Sequence, residues 1–241
     1  MRNKQTDKEI TMNYNNMIEG IFVSRPNRFI AHVLVDGKEV VCHVKNTGRC
    51  KELLIPNQTK VYVQDHGEDT KRKTRYSLIT VVKETKHGSM LINMDSQAPN
   101  KVAREWLESG GLGKEVTFIK PEKTYGDSRF DLYFEYLDEN NNTVPAYMEV
   151  KGVTLEEDGV VRFPDAPTSR GVKHIDGLIR AKEAGYDAYI LFVIQLEHFT
   201  LFEANEKTDP AFAQALKNAE LNGVHILAKS CEVTKDSLRI K

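Results

Sequence analysis

The chain has 241 residues, of which 40% are hydrophobic, and its formal net charge is −1. It contains no apolar run near the roughly 20 residues of a membrane span and no secretory signal pattern, so we expect a cytoplasmic protein without a membrane partner. The near-neutral charge argues against a generic polyanion binder. The three cysteines lack a Cys-x-x-Cys spacing, which indicates reduced thiols rather than a zinc site or a disulfide framework.

The first part of the chain predicts a small β-barrel. Residues 1–16 are polar, and we expect them to form a disordered extension. Short strand-like runs follow at residues 20–23, 29–35, 40–44, 60–64 and 75–82, and the Asp36-Gly37 pair between two of them is a strong hairpin signal. About five short strands need closure to protect their edges, so we predict an OB-like barrel over residues 17–84, with an SH3-like barrel as the alternative. Residues 17–84 carry 12 Lys and Arg against 8 Asp and Glu.

The remaining part, residues 85–241, predicts a mixed α/β domain. Helices are expected at residues 100–109, with Asn100 as the cap, at 168–184, with Thr168 as the cap, and at 210–221. Strands are expected at 116–120, 129–136, 146–151, 188–194 and 224–228, and the continuously apolar run at 188–194 is typical of a central strand covered on both faces. The order is α-β-β-β-α-β-α-β, and its first six elements resemble the restriction-endonuclease-like (PD-(D/E)xK) mixed-sheet core.

The candidate catalytic residues lie on the second and third predicted strands of this domain, at residues 129–136 and 146–151. Folding the chain about the polar turn at residues 138–143 places Asp131 opposite Glu149 and Arg129 near Lys151. Two facing carboxylates repel, so they require a cation, which is either a divalent metal or the two basic neighbours. Oxygen ligands favour Mg²⁺ or Mn²⁺, with Asp131 and Glu149 as metal ligands and Lys151 either positioning the metal-bound water or neutralising developing charge. A surface ion-pair cluster is the alternative interpretation.

Several stretches resemble the sugar fermentation stimulation protein A (SfsA) family. They are His43-Val44-Lys45-Asn46-Thr47-Gly48-Arg49, Arg72-Lys73-Thr74-Arg75-Tyr76, Asp95-Ser96-Gln97-Ala98-Pro99-Asn100, Ser128-Arg129-Phe130-Asp131, Glu149-Val150-Lys151-Gly152 and 163–171. The resemblance implies an OB-like domain joined to a nuclease-like domain. It also implies DNA binding and a regulatory link to sugar use, maltose in particular.

Residue by residue, the resemblance makes Asp131, Glu149 and Lys151 the catalytic candidates. Glu105 on the first helix is a weaker candidate, for which a solvated helix position is the slightly favoured interpretation. Arg170, Lys173 and His174 lie at the start of the second helix, where free amides and the helix dipole favour phosphate, and a solvated helix surface is the alternative interpretation for each of them. In the barrel, the candidates for nucleic-acid contact are Asn46, Arg49, Lys73 and Arg75, although a turn at residues 46–48 would also explain Asn46.

Two main functional hypotheses follow. The first is a DNA-binding protein without sequence specificity, with a regulatory role in sugar metabolism. The alternative is a Mg²⁺- or Mn²⁺-dependent endo- or exonuclease that cleaves DNA or RNA through Asp131, Glu149 and Lys151. A small-molecule binder or hydrolase on the same scaffold is a third possibility, because a fold does not fix a function.

Overall fold

The computed structural model of the protein describes residues 12–241. It begins with a two-residue strand, β1 (Met12–Asn13), and continues into two domains, each built around its own main sheet. No helix within residues 12–241 is long and apolar enough to span a membrane. The three cysteines are free and buried, which agrees with the prediction of reduced thiols.

The first domain is a small barrel. Its strands are β2 (Met17–Asn27), β3 (Ile30–Val35), β4 (Lys38–Val44), β5 (Lys60–Asp65), β6 (Tyr76–Thr85) and β7 (Gly88–Asn93). They pair in the order β4-β3-β2-β5-β6-β7, and an additional parallel pairing of β4 with β6 closes the first five strands. Closure removes the exposed edges that five short strands would otherwise present.

The barrel domain is longer than predicted at its C-terminal end. We expected the domain boundary at residue 84, but β7 pairs antiparallel with β6 from Thr85–Gly88 to Thr80–Asn93. This strand belongs to the first sheet, so the boundary follows Asn93. The sequence of β7 does not alternate between apolar and polar residues, and its pattern therefore gave no strand signal.

The second domain has a seven-stranded mixed sheet. Its elements are α1 (Ala98–Glu108), β8 (Glu115–Tyr125), β9 (Ser128–Leu137), β10 (Thr143–Val153), β11 (Glu156–Glu157), β12 (Val160–Phe163), α2 (Ser169–Glu183), β13 (Asp187–Ile194), β14 (Leu201–Ala204), α3 (Pro210–Leu221), β15 (His225–Val233) and β16 (Ser237–Ile240). The order of the main sheet is β1-β16-β15-β13-β10-β9-β8, in which β13 runs parallel to both β10 and β15. The predicted element order is confirmed, with β11, β12 and β14 forming an additional small sheet.

Helices cover both faces of this sheet. The apolar stripe of α1, with Val102 and Trp106, packs in one cluster with Leu132 and Met148 of the sheet. On the opposite face, α2 and α3 pack in a second cluster that continues into the barrel. Every residue of β13 is buried, as the continuous apolar run predicted.

The predicted N-terminal extension is wrong for residues 12–16. Met12 pairs with Leu238 of β16, which adds β1 to the edge of the second sheet. Tyr14 is buried, and its hydroxyl donates a hydrogen bond to Asp95 (3.2 Å). Because this segment is mostly polar, its sequence did not indicate that Met12 and Tyr14 would anchor it. Residues 1–11 lie outside the described residues.

A buried polar network joins the two domains. Lys45, the residue after β4, forms an ion pair with Asp95 (2.5 Å), which lies in the segment between the domains and is fully buried. The side-chain amide of Gln195, after β13, donates to the carbonyl oxygens of Asn93 (3.0 Å) and Asp95 (3.1 Å). These bonds satisfy groups that would be costly to bury alone, and they fix the barrel against the second sheet.

Candidate functional site

The predicted site residues meet where β9 and β10 separate. Met148 pairs with Leu132, and the same register places Glu149 beside Asp131, so the predicted hairpin register is confirmed. A pocket of about 280 Å³ opens at this point. Asp131, Glu149 and Lys151 line it together with Asn100, Glu122, Arg129, Arg170 and His174. The pattern of two carboxylates and one amine therefore converges in space.

Asp131 lies where the backbone pairing of the two strands ends. One oxygen of its carboxylate, Oδ2, accepts a hydrogen bond from the backbone N–H of Val150 (2.8 Å), and Oδ1 accepts one from the side chain of Asn100 (2.8 Å). Burial and then the negative charge of Glu149 raise the pKa of Asp131. Asn100 was predicted to cap α1, but the helix begins at Ala98 with Gln97 as its cap, so that prediction is wrong and Asn100 instead orients Asp131.

The side-chain alternation of β9 breaks next to Asp131. The alternation predicted that Phe130 shares a face with Leu132 and Phe134. The ring of Phe130 instead contacts that of His174 on α2 (centroids 6.3 Å apart), whereas Leu132 and Phe134 pack in the cluster beneath α1. The prediction is wrong at this position. The break lets Asp131 face α1 while its neighbour faces α2.

Glu149 is the most deeply buried charged group of the site, with 2% of its surface exposed. Its Oε1 accepts hydrogen bonds from Lys151 Nζ (2.6 Å) and from His174 Nδ1. Burial raises the pKa of Glu149, but the bonds from His174 and Lys151 outweigh it, and the net pKa is lowered. The other oxygen, Oε2, is buried and has no hydrogen-bond partner. A buried, ionised carboxylate oxygen without a partner is costly unless a cation or a water molecule meets it.

Lys151 supplies one of the two predicted compensating cations. Its side chain is 16% exposed and points to the same oxygen of Glu149 that His174 contacts. Arg129, the other predicted cation, lines the pocket but lies 3.7 Å from Glu122 of β8. Arg129 is therefore paired with a third carboxylate, that of Glu122, which also lines the pocket.

His174 was predicted as a phosphate contact, and the structure gives it a different neighbour. Its Nδ1 lies on Glu149, and Arg170 Nε approaches its Nε2 at 3.4 Å. A neutral imidazole that donates from Nδ1 and accepts at Nε2 satisfies both contacts. His174 thereby fixes the orientation of the carboxylate. Its sequence signal was only its place in the first turns of α2, which gave no indication of a partner on β10.

The donor set fits a hard divalent cation. Within residues 12–241, no group of three or more His, Cys, Asp and Glu side chains is close enough to hold a metal ion. Mg²⁺ commonly takes only one or two carboxylates and completes its octahedron with water and substrate phosphate. Asp131 and the unpartnered Oε2 of Glu149 provide two such carboxylates at an open pocket.

The two basic candidates on α2 differ in their surroundings. Arg170 is exposed and lines the pocket, so it lies within reach of a ligand at Asp131 and Glu149. Lys173 forms an ion pair with Asp127 (3.2 Å), and it does not line this pocket. Thr168 caps α2 by accepting a hydrogen bond from Gly171, as predicted.

Two barrel candidates, Asn46 and Arg49, lie in the loop after β4. The side chain of Asn46 accepts a hydrogen bond from the backbone N–H of Gly48 (2.8 Å), which is the turn-forming alternative that the sequence left open. Arg49 is exposed. The loop is held by Arg25, whose guanidinium donates to the carbonyl oxygens of Asn46 (2.6 Å) and Gly48 (2.7 Å).

The other two barrel candidates lie in the basic run before β6. Lys73 is exposed. Arg75 instead makes a two-pronged contact with Asp65 (2.7 and 2.6 Å) and reaches Glu68 (3.0 Å). Its charge is therefore largely committed to the protein itself, which weakens the prediction that it contacts a ligand.

Glu105 does not join the site. It is half-buried on α1, where one carboxylate oxygen is buried without a partner. Burial raises its pKa, and the backbone of Met12 forms a hydrogen bond with it. Glu105 is therefore neither a residue of the carboxylate site nor a fully solvated helix residue, because β1 covers the helix at this point.

Comparison with known proteins agrees with this architecture. Residues 23–94 match the model of the SfsA N-terminal OB domain, and residues 97–237 match that of the sugar fermentation stimulation protein RE domain. The chain belongs to the sugar fermentation stimulation protein family. The resemblance drawn from the motifs is confirmed, and so is the predicted fold class of an OB-like barrel followed by a restriction-endonuclease-like domain.

Relatives within the sugar fermentation stimulation protein family cover nearly the whole chain. A homolog from Clostridium beijerinckii is 54% identical over 230 residues, 95% of this chain and 97% of that protein. One from Desulfitobacterium hafniense is 55% identical over 227 residues, 94% of each. The solved structure of Pyrococcus furiosus SfsA in complex with Ca²⁺ is similar with a TM-score of 0.80 and 27% identity, and it covers 95% of both chains.

Proposed function

We propose that this protein is a Mg²⁺- or Mn²⁺-dependent nuclease that cleaves phosphodiester bonds of DNA. The observation that carries the proposal is the buried Glu149, which has one carboxylate oxygen without a partner and lies beside Asp131. A divalent cation held by these two carboxylates would polarise a phosphoryl oxygen and lower the pKa of a bound water.

The protein groups have separate tasks in this proposal. His174 and Lys151 hold Oε1 of Glu149 and leave Oε2 without a hydrogen-bond partner. Asn100 and the backbone of Val150 hold Asp131. The ammonium group of Lys151 lies next to the carboxylates, where it can neutralise negative charge that develops on a phosphoryl group.

Pyrococcus furiosus SfsA, which shares this fold, has been solved in complex with Ca²⁺. Ca²⁺ and Mg²⁺ are both hard cations that prefer oxygen ligands, and they differ mainly in size and in the rigidity of their coordination. A calcium complex of a family member supports a divalent-cation site in this chain, and Asp131 with Glu149 is the pair that we assign to it.

The test is cleavage of labelled oligonucleotides. Purified protein is incubated with single- and double-stranded DNA and RNA in Mg²⁺, Mn²⁺ or EDTA, next to Glu149→Gln and a matched control, Asp69→Asn. Asp69 is an exposed acid of the barrel domain. We expect cleavage of DNA that requires the cation, survives in the control and disappears in Glu149→Gln. Cleavage that persists in Glu149→Gln would contradict the proposal.

DNA binding without cleavage is the second candidate. It is favoured by exposed cations of the barrel, among them Arg49 and Lys73, that form no ion pair within residues 12–241. Each phosphate contact lowers the slope of log K against log salt by about 0.9 for a duplex and about 0.7 for a single strand. Salt titration of binding in EDTA tests this candidate, and a flat response would reject it. The regulatory role in maltose use stays a prediction from the family resemblance.

A further inference from the structure

A second pocket, of about 560 Å³, lies on the barrel between β2 and the segment after β4. It is separate from the carboxylate site. Its floor is apolar and its rim is cationic. The floor is formed by Phe22, Leu54, Ile55 and Pro56, and the rim by Arg25, Arg28, Arg49 and Lys51. No carboxylate is among the lining residues. The combination indicates a ligand with an apolar body and a negative charge.

The rim keeps its positive charge. Arg28, Arg49 and Lys51 are exposed and form no ion pair within the part of the chain that the structure describes. The two terminal nitrogens of Arg25 donate hydrogen bonds to four backbone carbonyl oxygens, which are neutral acceptors. Its Nε is buried and has no hydrogen-bond partner. The three exposed cations, Arg28, Arg49 and Lys51, complement phosphate groups.

The floor offers surface for a nucleobase. Ile55 is 43% exposed and lines the pocket, so part of its apolar side chain is open to a ligand. Next to the pocket, Phe29 is 47% exposed, and the guanidinium carbon of the rim residue Arg28 lies 5.2 Å from the centre of its ring. Apolar and aromatic surface interleaved with arginine is typical of sites for single-stranded nucleic acid, where bases stack and the backbone meets cations.

One loop connects this pocket to the carboxylate site. Thr47 and Gly48 line the pocket and also a smaller cleft, whose opposite wall includes Gly152, the residue after Lys151. The hydroxyl of Ser96, which lines the carboxylate pocket, donates to the carbonyl oxygen of Lys45 just before this loop (2.8 Å). The loop at residues 46–48 therefore lies between the barrel pocket and the pocket that Asp131 and Glu149 line.

We propose that the barrel pocket binds a nucleotide of single-stranded DNA, with its base against Ile55 and Pro56 and its flanking phosphates on Arg28, Arg49 and Lys51. The choice of DNA rests on the proposed function. Bases in a duplex are paired and stacked and cannot enter the pocket, so the strand that reaches the carboxylate site is an unpaired one.

The test measures binding in EDTA, by fluorescence anisotropy of a labelled DNA 12-mer, so that no cleavage interferes. The variant Arg28→Ala/Lys51→Ala is compared with Lys38→Ala/Lys207→Ala, which removes two exposed charges elsewhere. We expect the slope of log K against log salt to become shallower by about 1.4 in the first variant, because each lost contact to a single strand removes about 0.7. Equal changes in both variants would overturn the inference.

Three further arms test the base and the strand. An oligonucleotide with abasic positions should bind less tightly than the intact one to the wild type, and Ile55→Ser should remove that difference. A duplex of the same sequence should compete weakly, and so should single-stranded RNA. Equal binding of the abasic strand, or equal competition by duplex or RNA, would overturn the assignment. If Glu149→Gln abolishes cleavage but Arg28→Ala/Lys51→Ala binds DNA as the wild type does, this inference alone is rejected. If Arg28→Ala/Lys51→Ala weakens binding but the wild type cleaves no substrate, the proposed nuclease activity alone is rejected.

Discussion

Replacing Asp131 by Asn should change the stability of the protein in opposite directions with and without a divalent cation. The substitution keeps the shape of the side chain. Its oxygen can still accept from the backbone N–H of Val150, and its amide can donate to Asn100, whose exposed side chain is free to rotate. The main change is the loss of one of two neighbouring negative charges.

The expected magnitudes follow from this charge. In EDTA, relief of the repulsion with Glu149 should stabilise the variant by about 0.2–1 kcal/mol, the range for cross-strand charge pairs. At a cation concentration of 100 times Kd, the wild type gains about 2.7 kcal/mol. For a protein of this size that raises Tm by roughly 5–11 °C. If the variant binds the cation 100-fold more weakly, the same cation concentration would stabilise it by only about 0.4 kcal/mol.

The assay is thermal unfolding in EDTA and in increasing Mg²⁺, Mn²⁺ or Ca²⁺, with Asp69→Asn as the control of equal charge change. The control should respond to the cation as the wild type does. A cation-induced rise in Tm that is as large in Asp131→Asn as in the wild type would refute the assignment of the site. A loss of more than about 2 kcal/mol in EDTA would instead indicate a structural role for the charge.

Three other predictions concern the same groups. Because the pKa of Asp131 is raised, its carboxyl group holds a proton more tightly in the folded protein than in the unfolded chain. The stability of the metal-free protein should therefore fall as pH rises through that pKa, while the affinity for the cation should rise. Melting experiments at several pH values should show neither trend in Asp131→Asn. His174→Ala should weaken the cation response about 10- to 100-fold, and His174→Asn, which retains a donor toward Glu149, should restore it. Arg75→Ala should lower the urea midpoint through its lost contacts with Asp65, whereas Lys73→Ala should weaken DNA binding and leave that midpoint unchanged.

The sequence was sufficient for features that follow from local pattern. The hairpin register depends on a single polar turn, and that turn also fixes which residue of β9 faces Glu149. The cap at Thr168 and the buried strand β13 are likewise encoded within a few residues of where they occur. Such features need no knowledge of distant contacts.

Other features depend on partners far away in the chain. Asn100 looked like a cap because the cap signal is local, but its bond reaches Asp131, 31 residues away. His174 meets Glu149 across 25 residues, and only the packing of α2 on the sheet brings them together. The basic run of the barrel gave Arg75 the appearance of a free cation, because its partner Asp65 lies on the neighbouring strand.

The position after Lys151 shows why the carboxylate site and the barrel depend on one another. A Cβ atom at Gly152 would lie 2.5 Å from the side chain of Gln195 and 2.7 Å from that of Pro99 at the start of α1, so only glycine fits without displacement. Gln195 is the residue that binds the segment between the two domains. The strand end that carries Glu149 and Lys151 is therefore packed directly against the contacts that hold the barrel in place. A rigid connection of this kind would keep a DNA strand bound to the barrel at a fixed distance from the carboxylates. The proposed cleavage requires that fixed distance, whereas binding alone does not.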